Sequence, residues 1–130
     1  MIIASLKNYR LSPRKVRLVA NLVKGKKAEE ALNILTFISK RAGDPLAKLV
    51  KSAIANAKTN FNIDKDILFV KELRVDTGYT LKRIMPRARG MAYRINKRTS
   101  NISLVLAPKE EKAPKVKKIA KVKDETLKNK

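Results

Sequence analysis

The amino-acid sequence predicts an α+β protein from which a long β-hairpin protrudes. Three features carry that expectation: apolar residues at helical spacing through the first sixty positions, a period-two segment over residues 67–76, and two strand-like arms over residues 79–106. The chain has 130 residues, enough for one hydrophobic core. A single domain over residues 1–108 and a tail over 109–130 are expected.

Ile2-Ile3-Ala4-Ser5-Leu6-Lys7-Asn8-Tyr9 has partial polar and apolar alternation and reads as a strand. Ser12-Pro13 then supplies an N-cap and a proline suited to the first helical position. Val16, Val19, Ala20 and Val23 follow at helical spacing until Gly25 offers a stop. The first turn of this helix holds Arg14, Lys15 and Arg17, cations where the helix dipole prefers anions. Each costs about 0.3–1 kcal/mol when exposed, a penalty that a bound phosphate would reverse. The competing reading is three solvated surface charges.

Ala28, Ala31, Leu32 and Leu35 mark a second helix, with Glu29 and Glu30 in the first turn where the dipole favours them. A third helix carries Leu46, Leu49, Val50, Ala53, Ile54 and Ala57 as a core stripe. It starts either with Asp44-Pro45 as cap and first residue, or near Ser39 with Pro45 producing a kink. The following strand places Phe69, Lys71, Leu73 and Val75 on one face, and Asp76-Thr77-Gly78 marks a turn or bend.

The two arms over residues 79–106 meet near Arg87-Ala88-Arg89-Gly90, with Gly90 able to take positive φ. Arms of about ten residues reach roughly 30 Å, beyond the 13 Å radius of gyration of a hundred-residue globule. A free two-stranded hairpin is marginal in water, so this one needs outside support. Lys82, Arg83, Arg87, Arg89, Arg94, Lys97 and Arg98 lie along it with no carboxylate among them. Phosphate answers such a run, and arginine's planar fork suits bidentate contact with it. Ile84, Met85, Ala88, Met91, Ala92, Tyr93 and Ile95 interleave with the cations, and Tyr93 is placed to stack on a base. A hairpin folded back onto the body is the alternative.

Lys and Arg total 32 against 11 acidic residues, a net charge of +21 that asks for a polyanionic partner. No apolar run reaches the roughly 20 residues of a transmembrane helix, so a soluble intracellular protein without a membrane span is expected. With no Cys and no His, disulfides, zinc sites of those ligands, thiol nucleophiles and imidazole catalysis are excluded. There is no P-loop or dinucleotide glycine fingerprint, so no enzyme, catalytic residue or cofactor is expected. Asp64 and Asp66 beside Asn60 and Asn62 lack the glycine and glutamate spacing of a calcium loop, and no metal site is expected. Charge alone leaves RNA and DNA both open, and an architectural DNA-binding protein is the rival reading.

Four segments resemble the bacterial large-subunit ribosomal protein L-twenty-two family. They are Leu11-Ser12-Pro13-Arg14-Lys15-Val16-Arg17, Lys51-Ser52-Ala53-Ile54-Ala55-Asn56-Ala57, Lys82-Arg83-Ile84-Met85-Pro86-Arg87-Ala88-Arg89-Gly90 and Lys97-Arg98-Thr99-Ser100-Asn101-Ile102. The resemblance runs in order over about residues 1–107. It implies three helices packed on a small three-stranded antiparallel sheet, with the hairpin running along the wall of the peptide exit tunnel. It further implies a cytoplasmic, ribosome-bound protein that contacts large-subunit rRNA, supports early subunit assembly and narrows the tunnel together with ribosomal protein L-four. By the same resemblance Arg14, Lys15, Arg17, Lys82, Arg83, Arg87, Arg89, Arg94, Lys97, Arg98, Thr99 and Ser100 bind rRNA. Arg87, Ala88, Arg89, Gly90 and Met91 form the tip that a nascent polypeptide passes.

One departure stands out: Met91 follows the tip glycine where the family usually has a basic or polar residue. A phosphate contact is not expected there, and methionine suits the lining of a passage. The family's hairpin lies near the macrolide pocket, so deletions around Leu81-Lys82-Arg83 or at the tip are expected to alter drug response. The tail over 109–130 has nine lysines, four acidic residues and few large apolar groups. It is expected to be disordered in isolation.

Overall fold

The central strand of the sheet is the last in sequence among the described residues. A computed structural model describes residues 1–108, and the expectations for the tail lie outside the described residues. The elements are β1 (Ile2–Tyr9), α1 (Pro13–Val23), α2 (Ala28–Phe37), α3 (Gly43–Phe61), β2 (Leu68–Pro86) and β3 (Ala92–Pro108). A single turn of 3-10 helix occupies Lys65–Ile67, and Ala88–Gly90 forms the hairpin turn with Arg89 and Gly90 in left-handed conformations. The strands pair antiparallel in the order β1-β3-β2, so the α+β architecture of three helices and a three-stranded sheet is present. Ile2 lies opposite Leu106 and Leu73 opposite Leu104.

The helices cover one face of this sheet. Ile2, Ala4, Leu68, Val70, Leu73, Val75, Ile102, Leu104 and Leu106 are buried from the sheet side. Val16, Val19, Ala20 and Val23 of α1, Leu35 of α2 and Leu46, Val50, Ala53 and Ala57 of α3 meet them. Each large side chain buried here contributes about 1.5–3 kcal/mol of transfer free energy.

The face expected for the start of β2 is corrected. Val70 pairs with Leu106 and Glu72 with Val105, so Lys71 is an extra residue in a β-bulge. The bulge flips the parity: Leu68 and Val70 face the core before it, Leu73 and Val75 after it, while Lys71 is exposed. Asp76-Thr77-Gly78 is likewise a bend within a continuous strand and not its end, because β2 runs on to Pro86.

The start of α3 matches neither expected position. Ala42 is the cap and the helix begins at Gly43, with Asp44 in the first turn. Pro45 produces no break, since the first intrahelical bond is donated by the Leu46 N–H to the Ala42 carbonyl and earlier N–H groups have no helical acceptor. A Cβ on Gly43 would stand 2.7 Å from Ile38 Cγ2 and 2.9 Å from the Leu35 carbonyl oxygen, so glycine lets α2 hand over directly to α3.

Two further bulges flank β3 where the sheet becomes a hairpin. Lys7 and Asn8 lie opposite Asn101, with Asn8 at φ 57° and its N–H donated to Asn101 Oδ1 at 2.9 Å. Gly78 and Tyr79 lie opposite Thr99. Paired bulges bend the strands and raise local twist where the hairpin leaves the sheet. Beyond the last β1 pair, Tyr9 with Ser100, only β2 and β3 continue.

Candidate nucleic-acid interface

Regular pairing carries the hairpin from Thr80 opposite Arg98 to Pro86 opposite Ala92. Directly opposed residues share a face, so the register sorts the side chains. One face carries Arg98, Lys82 with Asn96, and Ile84 with Arg94. The other carries Leu81 with Lys97, Arg83 with Ile95, and Met85 with Tyr93. Each face thus carries both cations and apolar groups.

The tip is closed by the Arg87 N–H donated to the Met91 carbonyl at 2.8 Å. Gly90 takes φ 69°, as expected of it, and Arg89 takes φ 61° beside it. That left-handed arginine had no signal in the sequence, because arginine visits this region rarely.

All seven cations from Lys82 to Arg98 are exposed. The two ion pairs among the described residues, Lys65 with Glu29 and Arg74 with Asp76, involve none of them. Ile84 is 73% exposed and Tyr93 58%, so the hairpin does not fold back on the body.

The second basic surface is a cleft of about 390 Å³ lined by Ser12, Pro13, Arg14, Arg17, Thr77 and Arg98. It lies at the N-terminus of α1, where no acidic residue occupies the first turn and the Ser12 hydroxyl makes no capping bond. The Lys15 N–H already donates to the Ser12 carbonyl at 3.0 Å, so the positive end of the helix dipole, with Arg14, Arg17 and Arg98, is what favours an anion there. Arg98 reaches this cleft because it shares a face of β3 with Ser100 and Ile102, the side the helices cover.

Arg14 and Lys15 are exposed, whereas Arg17 is already engaged. Its Nε and Nη2 both donate to the Val75 carbonyl, at 3.0 and 2.8 Å. Val75 is on the outer strand of the sheet, so this fork ties α1 to β2.

Thr99 and Ser100 require a correction. They are only 1% and 0% exposed, and their hydroxyls donate to the Tyr79 carbonyl at 2.7 Å and the Leu11 carbonyl at 3.1 Å. Their hydroxyls anchor the hairpin base and the entry to α1, and neither is presented to a nucleic acid. Ser12 and Thr77 line the cleft instead, although the sequence marks them only as a cap and part of a bend.

Among the described residues no group of three or more acidic, His or Cys side chains could hold a metal ion. No helix there is long and apolar enough to cross a membrane.

Residues 4–107 match the family described as Ribosomal protein L22p/L17e. The Desulfitobacterium hafniense protein called large ribosomal subunit protein uL22 is 53% identical over 102 residues, 78% of this chain and 90% of that one. The protein of the same name from Deinococcus radiodurans is 50% identical over 109 residues, 84% of this chain and 81% of its own. That from Maridesulfovibrio salexigens is 54% identical over 103 residues, 79% and 94% of the two chains.

Proposed function

Because this chain belongs to the Ribosomal protein L22p/L17e family, a structural, non-enzymatic component of the large ribosomal subunit, we propose that its hairpin and the α1 cleft bind large-subunit rRNA. The observation that carries this reading is the state of the hairpin: seven exposed cations, no carboxylate, and apolar side chains that nothing in the described chain covers. Two strands alone are marginal in water. Folded RNA supplies both missing terms, phosphates for the guanidinium groups and base faces for Tyr93, Met85 and Ile84.

In this reading Arg14, Lys15, Arg17 and Arg98 hold a phosphate-rich segment at the cleft, and Lys82, Arg83, Arg87, Arg89, Arg94 and Lys97 hold the hairpin along its length. The two contacts together bridge separate parts of the rRNA, a cross-link suited to early subunit assembly. The tip from Arg87 to Met91 lines the exit tunnel near its constriction with ribosomal protein L-four, faces the nascent polypeptide and borders the macrolide site. The relatives are large-subunit components, cytoplasmic in bacteria, and the same compartment follows for this chain.

The test is co-sedimentation with large subunits after a high-salt wash, followed by chemical footprinting of their rRNA. Arg94→Glu with Arg98→Glu should reduce retention and expose nucleotides that the parent chain protects. Unchanged protection would overturn the reading. Equal affinity for duplex DNA and rRNA fragments at one salt concentration would favour the architectural DNA-binding alternative.

A further inference from the structure

A second cleft, of about 420 Å³, opens between α2, α3 and the 3-10 turn at Lys65–Ile67. It shares no residue with the hairpin or the α1 cleft. While α3 turns Leu46, Val50, Ala53 and Ala57 into the core, it leaves Lys51, Ile54, Ala55 and Lys58 as a stripe along this groove. Leu32 of α2 and Ile54 are partly buried and form an apolar floor, with Ala55 exposed beside them. Lys51, Lys58 and Lys65 stand around it against a single carboxylate, Glu29, which already pairs with Lys65 at 2.6 Å. Lys51 and Lys58 have no such partner among the described residues.

This chemistry differs from that of the proposed RNA surfaces. Its cations are all lysines, which lack the guanidinium fork. Its floor is aliphatic with no ring to stack on a base. A second copy of the chain, at net charge +21, or its own tail with nine lysines, would be repelled. Lys51 and Lys58 lie seven residues apart on one helix, about 10.5 Å along its axis at 1.5 Å per residue. Carboxylates at positions i and i+7 of another helix have the same spacing.

We propose that the α2/α3 groove docks an acidic amphipathic helix of a protein partner, its apolar face on Leu32, Ile54 and Ala55 and its carboxylates on Lys51 and Lys58. The apolar floor supplies the affinity and the lysine pair sets orientation.

The probe is a fluorescein-labelled helical peptide with leucines at i, i+3 and i+4 of each repeat and glutamates seven residues apart, titrated with the full chain at 0.15 and 0.5 M salt. Lys51→Glu with Lys58→Glu should weaken binding at least tenfold. Arg87→Glu with Arg89→Glu makes the same change in charge at the hairpin tip and should alter it less than twofold. Ala55→Arg blocks the floor without adding negative charge and should also abolish binding. All substituted residues are exposed, and circular dichroism verifies that each variant keeps its fold. Equal loss from both charge reversals, or absence of saturable binding, would overturn the proposal. In assembled large subunits, a photo-cross-linker at Asn33 should yield an adduct whose protein peptide is acidic and amphipathic. No adduct, an adduct to RNA alone, or one to a basic peptide would equally overturn it. The hairpin reading stands or falls separately, on the Arg94 and Arg98 variants.

Discussion

Gly78 and Thr99 occupy one space: a Cβ on Gly78 would collide with Thr99 Oγ1, the hydroxyl that donates to the Tyr79 carbonyl at 2.7 Å. The contact sits inside the bulge at the hairpin base, where Thr99 is 1% exposed. Gly78→Ala must rotate Thr99 away and orphan a shielded carbonyl, a cost of about 1–3 kcal/mol. Thr99→Ala removes the obstruction along with the bond, so the double variant should be less destabilised than the sum of the two. Urea denaturation of the four proteins measures this, and strict additivity would show that the two residues do not compete.

Arg14 and Arg17 should separate by experiment although they share a helical turn. The Arg17 fork on the Val75 carbonyl holds α1 against β2, while Arg14 is exposed. Arg17→Ala should therefore lower stability by about 1–2 kcal/mol as well as weaken RNA binding. Arg14→Ala should leave stability within about 0.5 kcal/mol and weaken RNA binding alone. Thermal melts beside filter binding decide it, and an Arg14 variant that melts early would refute the division.

What could be read from the chain was what depends on near neighbours. The Ser12-Pro13 start of α1, its Gly25 exit at φ 80°, and the glycine at the hairpin turn are local signals, and each took the place expected of it. The core face of β2 was misread because the bulge at Lys71 is defined by β3, more than thirty residues away. The family resemblance places Thr99 and Ser100 among the RNA contacts. Their burial depends on where β1 and α1 lie, which no local pattern reports. The α1 cleft was equally illegible: Arg98 and Arg14 line it together only because the fold packs this end of β3 beside the start of α1.

The Glu29–Lys65 pair sets the pH response of the α2 side of the molecule. Hydrogen bonding to Lys65 and its charge lower the Glu29 pKa from the ordinary 4.5. The same bond to Glu29 raises that of Lys65 from 10.5. A lowered carboxylate stabilises above its unfolded pKa and loses that contribution as pH falls through the folded one; a raised ammonium stabilises below its unfolded pKa and loses it as pH rises through the folded one. Both contributions are complete between about pH 5 and pH 10. Lys65→Met should therefore lower Tm slightly and equally at pH 6 and pH 9, with the difference from the parent closing below pH 4. The effect stays small because the pair is exposed. A difference that grows on acidification would contradict the pairing.

Salt dependence reads the hairpin most directly. If all seven cations from Lys82 to Arg98 meet phosphates, the logarithm of the RNA binding constant falls against log salt with a slope of magnitude about 5–6, at 0.7–0.9 per contact. Arg94→Gln with Arg98→Gln should then reduce that magnitude by about 1.4–1.8. Met91 is a different case, since it is 57% exposed at the tip and carries no charge. Met91→Ala should leave the slope unchanged, while Met91→Lys should steepen it only if RNA lies beside the tip. A Met91→Lys variant with an unaltered slope would place the tip over open space, as a tunnel-lining residue requires. A parent slope near zero would instead remove the phosphate contacts altogether, because no other term in the binding free energy depends so steeply on salt.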